Sequence, residues 1–352
     1  MTGQTQNSEP GTSRREVTAG IFLTNQHPVG SDLVRALDEQ IMMLHAARDA
    51  GWNTVWVGQH FLPAGMTMMQ PTPYLARLAT EAGEMRLGLG ILLLALLNPL
   101  QVAEEVATLD IISRGRVIFG VGLGYRDVEY EAFGLTRAEG VRRLRENLRV
   151  VRALWTQEHV EIDLPWCQIS GAGLTTRPVQ KPHPPIWIAA NSDSAVRRAA
   201  RLSDVWLVNP HASVPTIRRQ IDIFRETRAA AGLPEPAELP AIREVFCGRT
   251  REEALAMARP YLDAKYQVYA AWGQDKVMPA EETFHRPFDD LANERFVIGT
   301  PDDCLRALLP WRDELGVNHF IFRTHWSGMP VEYALSSMDL ISREVIPALQ
   351  RP

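Results

Sequence analysis

Gly115-Arg-Val-Ile-Phe-Gly-Val-Gly-Leu-Gly-Tyr125 is the stretch whose reading decides the fold. Its apolar and glycine positions fit a short strand buried on both faces, ending in Gly120, Gly122 and Gly124. A strand end stripped of side chains lets a flat ring or a phosphate approach the backbone closely. The spacing is not the dinucleotide fingerprint, because Tyr125 stands where that motif needs Gly. The glycines alone are weak evidence, so the neighbouring segments must carry the argument. Upstream, Val102 to Ile112 reads as an amphipathic helix. Downstream comes the acidic, aromatic segment Asp127 to Gly134, then a second long helix.

The same strand-then-helix order extends in both directions. Predicted strands are Val17 to Leu23, Thr54 to Val57, Arg86 to Leu93, Arg116 to Gly122, Ile186 to Ala190, Val205 to Val208, Ala241 to Phe246 and Val317 to Phe322. Between them lie helical patterns. Asp32 to Ala50 carries Leu33, Leu37, Ile41 and Leu44 at spacings of three and four, and Ala138 to Trp155 carries Val141, Leu144, Leu148, Val151 and Leu154. Pro71, Pro73 and Pro99 open two further helices. Two stretches break the alternation: a loop-rich excursion over 156–185, and 250–293, too long for one helix and read as an insertion between strands seven and eight. Eight βα units with near-continuous apolar strands predict an α/β fold, a (β/α)8 TIM barrel spanning 17–352 as one domain. An open doubly wound sheet is the competing arrangement. Residues 1–16, polar and without an apolar signal core, read as a disordered tail.

Composition narrows the function. The chain has 352 residues, 45% hydrophobic and 22% charged, with a net charge of −5. An acidic balance argues against a nucleic-acid binder. Cys167, Cys247 and Cys304 lie far apart in sequence and show no metal-ligand spacing, so neither a disulfide framework nor a metal site is expected. The longest apolar run, Leu87 to Leu97, is too short to span a bilayer. A cytoplasmic protein is the expectation.

In a barrel the active site lies at the C-terminal ends of the strands. That rule selects Gln59-His60-Phe61, then Gly122, Gly124 and Tyr125, then Asn191, Ser192 and Ser194, then Asn209 and His211, and finally Arg323, Thr324, His325 and Trp326. Asn191 to Ser194 supplies hydroxyls and free N–H groups at a helix start, where an anion is favoured. Plain N-capping by Ser192 or Asp193 explains the same residues, and Asp193 opposes a phosphate beside it. His60 is either a catalytic group or a hydrogen-bonded rim histidine; Arg323 is either a substrate ligand or half of a structural ion pair. The arginines 142, 143, 145, 149 and 152 read as a solvated helix face, and Trp52, Trp56 and Trp187 as packing.

These residues resemble the bacterial luciferase-like, flavin-dependent monooxygenases, over nearly the whole chain from Val17 to Leu349. The most specific part is Ala103-Glu-Glu-Val-Ala-Thr-Leu-Asp-Ile-Ile-Ser-Arg-Gly-Arg-Val-Ile-Phe-Gly-Val-Gly-Leu-Gly124, followed by Phe133-Gly134. Supporting matches are Trp56-Val-Gly-Gln-His60, Pro178-Val-Gln-Lys-Pro182 with Pro184-Pro-Ile-Trp187, and Gly328-Met-Pro330. The resemblance implies a (β/α)8 barrel whose 250–293 insertion acts as a mobile lid. It implies reduced FMN, its phosphate near Asn191, Ser192 and Ser194, where Ala190 to Ser194 keeps the family's Ala-x-Ser-x-Ser pattern. The ring is expected near Gly122, Gly124 and Tyr125, whose glycines would clear space for it. A non-prolyl cis peptide is implied at Gly90-Ile91.

The implied chemistry is oxygenation of a small organic, apolar substrate by dioxygen through a flavin C4a-peroxide. A separate NAD(P)H:flavin reductase would deliver the reduced flavin, which need not be tightly held. His60 is the expected hydrogen-bond donor or base at the flavin; His325 and Arg323 would orient substrate or stabilise negative charge. Family members are often homodimers. Gly122 stands where luciferases carry a reactive cysteine, and Asn98 replaces a histidine often found before Pro99. Enzymes of this fold that use the 8-hydroxy-5-deazaflavin coenzyme for hydride transfer commonly carry Asp-His-Phe-His-Pro-Trp after strand two. Here Gln59-His-Phe-Leu-Pro-Ala64 keeps only the first His, the Phe and the Pro. The balance falls towards FMN, with deazaflavin as the alternative. A non-catalytic flavin-binding protein on the same barrel is the third reading.

Overall fold

The computed structural model describes residues 16–351, so the reading of an N-terminal tail lies almost wholly outside the described residues. The strands are β1 (Thr18–Phe22), β2 (Gln26–Pro28), β3 (Thr54–Val57), β4 (Met66–Met68), β5 (Arg86–Leu89), β6 (Val117–Val121), β7 (Val160–Leu164), β8 (Cys167–Ala172), β9 (Ile186–Ala189), β10 (Val205–Leu207), β11 (Pro240–Cys247), β12 (Phe296–Gly299) and β13 (His319–Arg323). The helices are α1 (Leu33–Asp49), α2 (Pro71–Leu78), α3 (Pro99–Ile112), α4 (Asp127–Ala132), α5 (Gly140–Thr156), α6 (Asp193–Leu202), α7 (Val214–Ala230), α8 (Arg251–Ala271), α9 (Phe288–Arg295), α10 (Pro301–Asp313), α11 (Val331–Leu340) and α12 (Ile346–Gln350). No described helix is long and apolar enough to cross a membrane.

Nine strands form a curled parallel sheet in the order β10-β9-β6-β5-β3-β1-β13-β11-β12. β11 is long enough to serve two neighbours. Its first half, Pro240 to Glu244, lies in register with His319 to Arg323, and Glu244 to Cys247 lies in register with Phe296 to Gly299. The far end of the sheet returns to β11 through a parallel bridge between Val208 and Ala241. There Val208 N donates to Pro240 O at 3.2 Å, and Ile242 N donates to Val208 O at 3.0 Å. Inside the curl, Trp56 and Trp187 pack at 5.0 Å with Phe22, Ile118, Leu207, Ile242 and Ile321. Outside it, a larger apolar layer joins strands to helices. This two-sided burial is why the strands carry near-continuous apolar runs.

The Leu109 to Arg116 motif explains itself as a structural lock. Asp110 is fully buried; its Oδ2 accepts from Gln180 N at 3.0 Å and its Oδ1 from Gln180 Nε2 at 2.7 Å. Arg116 donates to the carbonyls of Ser113, Met85 and Ala79, while Gly115, with φ of 80°, makes the turn that no β-carbon would favour. The motif clamps the turn entering β6, at the end of the sheet away from the strand C-termini. This part of the Ala103 to Gly124 stretch therefore builds scaffold, while its last residues, Gly122 to Gly124, line the cavity at the other end of the strand.

Some expectations need revision. The third predicted strand is regular only over Arg86–Leu89; the cis peptide Gly90-Ile91 follows, and Leu92 makes an isolated parallel bridge to Val121. The 156–185 excursion contains an antiparallel hairpin, β7 with β8, and a second small hairpin pairs β2 with β4. Arg143 leaves the solvated face assigned to it; it is buried, with Nε donating to Ala95 O at 2.7 Å and its guanidinium 4.5 Å from the Trp166 ring.

Candidate active site

The C-terminal ends of the parallel strands surround a cavity of about 540 Å³. All of Gly90, Ile91, Gly122, Gly124, Tyr125, Asn191, Ser192, Ser194, His60 and Arg323 line it. Residues 156–176 contribute nothing to its lining. The insertion contributes Tyr269, Gln274, Lys276, Val277 and Met278, and 62–70 contributes Met68. The insertion is pinned below by a buried ion pair between Lys265 of α8 and Glu244 of β11. It is held beside by Arg295 donating to Glu282 at 2.6 Å, so Tyr269 to Met278 is the portion that covers the cavity.

Gly122 carries a correction. A β-carbon there would overlap the tip of Ile91 and lie 3.4 Å from its Cγ1. The room left by this glycine is therefore taken by the Ile91 side chain, and Ile91 is what faces the cavity. Gly120 has a still tighter reason: a β-carbon would meet the carbonyl of Leu89 on the adjacent strand. Gly120 and Gly122 let two strands and Ile91 come together, and Gly122 and Gly124 also line the cavity.

His60 sits between the end of β3 and the start of α4. Its Nδ1 lies 3.0 Å from Oε1 of Glu129, which is fully buried. That oxygen also accepts from Phe61 N at 2.9 Å and from Arg126 Nη1 at 3.4 Å. An oxygen already accepting from two donors receives a third from His60, so the proton sits on Nδ1 and the Nε2 lone pair is left over. Arg126 is fixed in turn by Phe61 O at 2.7 Å and Leu62 O at 3.0 Å, with the Trp272 ring 4.3 Å from its Cζ. Tyr125, Tyr269 and Trp272 meet the His60 ring edgewise at 5.6, 6.4 and 5.2 Å. The Tyr125 hydroxyl is buried without a partner, and burial holds its pKa well above the ordinary phenol value.

The opposite wall is the start of α6. Ser192 is its N-cap, Ala195 N donating to Oγ at 3.4 Å, and the two hydroxyls of Ser192 and Ser194 lie 3.2 Å apart. The negative charge of Asp193 is turned away: it pairs with Arg219 and accepts from Gln220 Nε2 at 3.2 Å. One turn along the same face, Arg198 lines the cavity with Nε buried and unpartnered. Ser192 thus caps α6, and the charge of Asp193 is compensated by Arg219.

Residues 17–319 match the model of a family described as luciferase-like monooxygenase. The chain belongs to that family. It is 26% identical over 329 residues to the oxygenase component of a flavin-dependent trigonelline monooxygenase from Acinetobacter baylyi, covering 88% of this chain and 89% of that one. It is also 26% identical over 319 residues to an F420-dependent glucose-6-phosphate dehydrogenase from Amycolatopsis mediterranei, covering 86% and 92%. Among solved structures, the monooxygenase RslO1 from Streptomyces bottropensis superposes with a TM-score of 0.84 at 22% identity, covering 94% and 99%. Relatives of the luciferase-like chain thus use either a flavin or the deazaflavin F420.

The third region of this luciferase-like cavity lies around Arg323. Its guanidinium stacks on Phe22, Cζ 4.0 Å from the ring, and its Nε is buried without a partner. His325 does not join it. That side chain lies outside the cavity lining, 3% exposed, with Nε2 donating to Met329 O at 2.8 Å and Nδ1 facing Gln40 at 3.5 Å. Burial lowers its pKa. The strand ends at Arg323, so the following residues turn behind the sheet, and His325 holds the Gly328 to Pro330 turn against α1. Its expected role at substrate is withdrawn.

Sequence reasoning missed Glu129, Arg198 and Tyr269. Glu129 lies 69 positions from His60, and nothing in either segment announces the pairing. Arg198 was within reach, because it follows Ser194 by four residues on a helix.

Proposed function

We propose that the protein is a monooxygenase that uses reduced FMN and dioxygen to oxygenate a small organic substrate. We further propose that its curled sheet closes as a (β/α)8 barrel through the Val208–Ala241 bridge, with β12, just after the 250–293 insertion, an added strand on the second half of β11. One observation carries the functional reading: a single cavity joins an anion-competent helix start to a carboxylate-oriented histidine across the Gly90-Ile91 turn. The residues fit a flavin phosphate at one end, where Ser192 and Ser194 hydroxyls and the unpartnered Arg198 converge. The aromatic and aliphatic wall of Ile91, Leu93 and Tyr125 suits a flat ring.

When bound, reduced flavin supplies the electrons that activate dioxygen. The chain's own tasks follow from geometry. Glu129 fixes the His60 tautomer, so Nε2 can take a proton or, once protonated, donate one at the reacting centre. Tyr269, Gln274 and Met278 cover the cavity and exclude water, which strengthens every such interaction. A separate reductase would supply the reduced cofactor.

The loss of Asp, second His and Trp from the segment after β3 supports FMN over deazaflavin. The F420-dependent relative, at equal identity, keeps hydride transfer as the second reading. Equilibrium titration of the purified protein with each cofactor in reduced form decides between them: tighter binding of FMN supports the proposal, and tight binding of the deazaflavin alone overturns it.

A further inference from the structure

The cavity carries a charge that one phosphate does not account for. Its lining holds four cations, Arg137, Arg198, Lys276 and Arg323, and no carboxylate, in a chain whose net charge is −5. Arg198 stands with Ser192 and Ser194 at the end that follows β9, and Arg137, paired with Asp127 at 3.7 Å, lies in the turn before α5. Arg323 closes β13, which is separated from β9 by β10 and β11 on one side and by four strands on the other. The two cationic ends therefore belong to different parts of the rim.

The Arg323 end has its own unpartnered donors. Among the described residues Arg323 forms no ion pair, and its Nε is buried without an acceptor. Asn209, 7% exposed and lining the same cavity, accepts from His211 N at Oδ1 at 2.8 Å, while its buried Nδ2 has no acceptor. His211 lies close enough to Arg323 and Lys265 for both charges to reinforce the effect of burial in keeping the imidazole neutral. Glu244 lies opposite Arg323 in register, but its oxygens are held by Lys265 and by Trp326 Nε1 at 2.6 Å. Arg323, half-buried and without an ion pair, therefore presents its guanidinium to the cavity that the Asn209 amide also lines. Unpaired buried donors of this kind are costly unless something accepts from them.

We propose that this end of the cavity binds the monoanionic head group of the substrate, a carboxylate held by the Arg323 guanidinium and the Asn209 amide, so that the enzyme acts on a small organic acid. A planar carboxylate matches the guanidinium fork, and one guanidinium without an ion pair matches a monoanion better than a phosphate dianion. The remainder of that acid would lie against Phe22, Ile242, Met68 and Tyr269. The inference rests on reading the cavity as a shared flavin and substrate site, and it replaces a purely apolar substrate by an amphipathic one.

Calorimetric titration of the FMN-loaded protein with benzoate and hexanoate, each beside its neutral amide, tests it. Each acid should bind at least about tenfold more tightly than its amide. R323Q should bring that ratio close to one while leaving FMN affinity within about twofold, R323K should keep part of it, and N209A should reduce it. R198Q should weaken FMN and leave the preference for the acid intact. Equal binding of acids and amides by the wild-type protein overturns the proposal, as does a preference that survives R323Q. Tighter binding of phenyl phosphate than benzoate overturns the monocarboxylate assignment. Failure of FMN to bind, with an Arg323-dependent acid preference measured on the cofactor-free protein, would instead count against the flavin reading alone.

Discussion

Replacing Gly120 and Gly122 by alanine, one at a time, separates the two roles packed into the β6 strand. At Gly120 the added carbon would stand 3.0 Å from the carbonyl carbon of Leu89 and closer still to its oxygen. That neighbour is strand backbone, held in the sheet, and cannot step aside. Overpacking of a core costs about 1–3 kcal/mol, and a clash with fixed backbone belongs at the upper end. Unfolding entropy of about 2.1 cal/mol/K per residue makes 1 kcal/mol worth about 1.4 °C in a chain this long. G120A should therefore melt about 4 °C lower. At Gly122 the nearest atom is the free end of Ile91, whose side chain can swing towards the cavity. G122A should lose less than about 1 kcal/mol, under 1.4 °C, yet weaken FMN about tenfold because Ile91 moves into its place. Thermal denaturation and FMN titration of both variants give the answer. A G120A protein that melts with the wild type, or a G122A protein that loses more stability than G120A, would refute the reasoning.

Other outcomes follow from the same geometry. H60A and E129Q should each lower coupled turnover by about 100-fold with FMN still bound, and the double variant should be little worse than either, because the two residues act as one unit; steady-state oxygen uptake against product formed checks this. S192A should weaken FMN about tenfold while melting within about 1 °C of wild type, because the cap it removes is a long bond at 3.4 Å. Acid stability should depend on His319, buried between Thr18 Oγ1 at 2.7 Å and Thr54 Oγ1 at 2.9 Å, with burial lowering its pKa to about 3. The unfolded chain binds the proton that the folded chain refuses, so stability is lost as pH falls from about 6.5 towards 3, approaching about 1.4 kcal/mol per pH unit. Denaturant melts across that range should show a shallower loss for H319Q.

Much of the sheet is legible because burial on both faces writes itself as unbroken apolar runs, as in Ile186-Trp-Ile-Ala189 and Phe320-Ile-Phe322. The β7–β8 hairpin was legible too: Val160, Ile162 and Leu164 are buried and alternate with exposed Glu161 and Asp163, a period of two inside a stretch read as loop. The three-residue strands β2 and β4 offer no such period, and β12 follows directly on α9 with only four residues. At the site, position at a strand end was enough to bring His60, Ser192 and Arg323 into one cavity. It misplaced His325, because the chain leaves the rim after Arg323 and only the Met329 carbonyl shows where the ring goes. It could not reveal Glu129, whose meaning depends on a partner brought across the sheet.

The central claim is oxygen transfer at this cavity. The most direct measurement supplies the protein with FMN, a flavin reductase, NADH, isotopically labelled dioxygen and a panel of small organic acids, and follows the label by mass spectrometry. Label from dioxygen is expected in a product of at least one acid and is lost in H60A. Substrate oxidation that needs the reduced or oxidised deazaflavin, proceeds without oxygen and leaves no label in the product would contradict it.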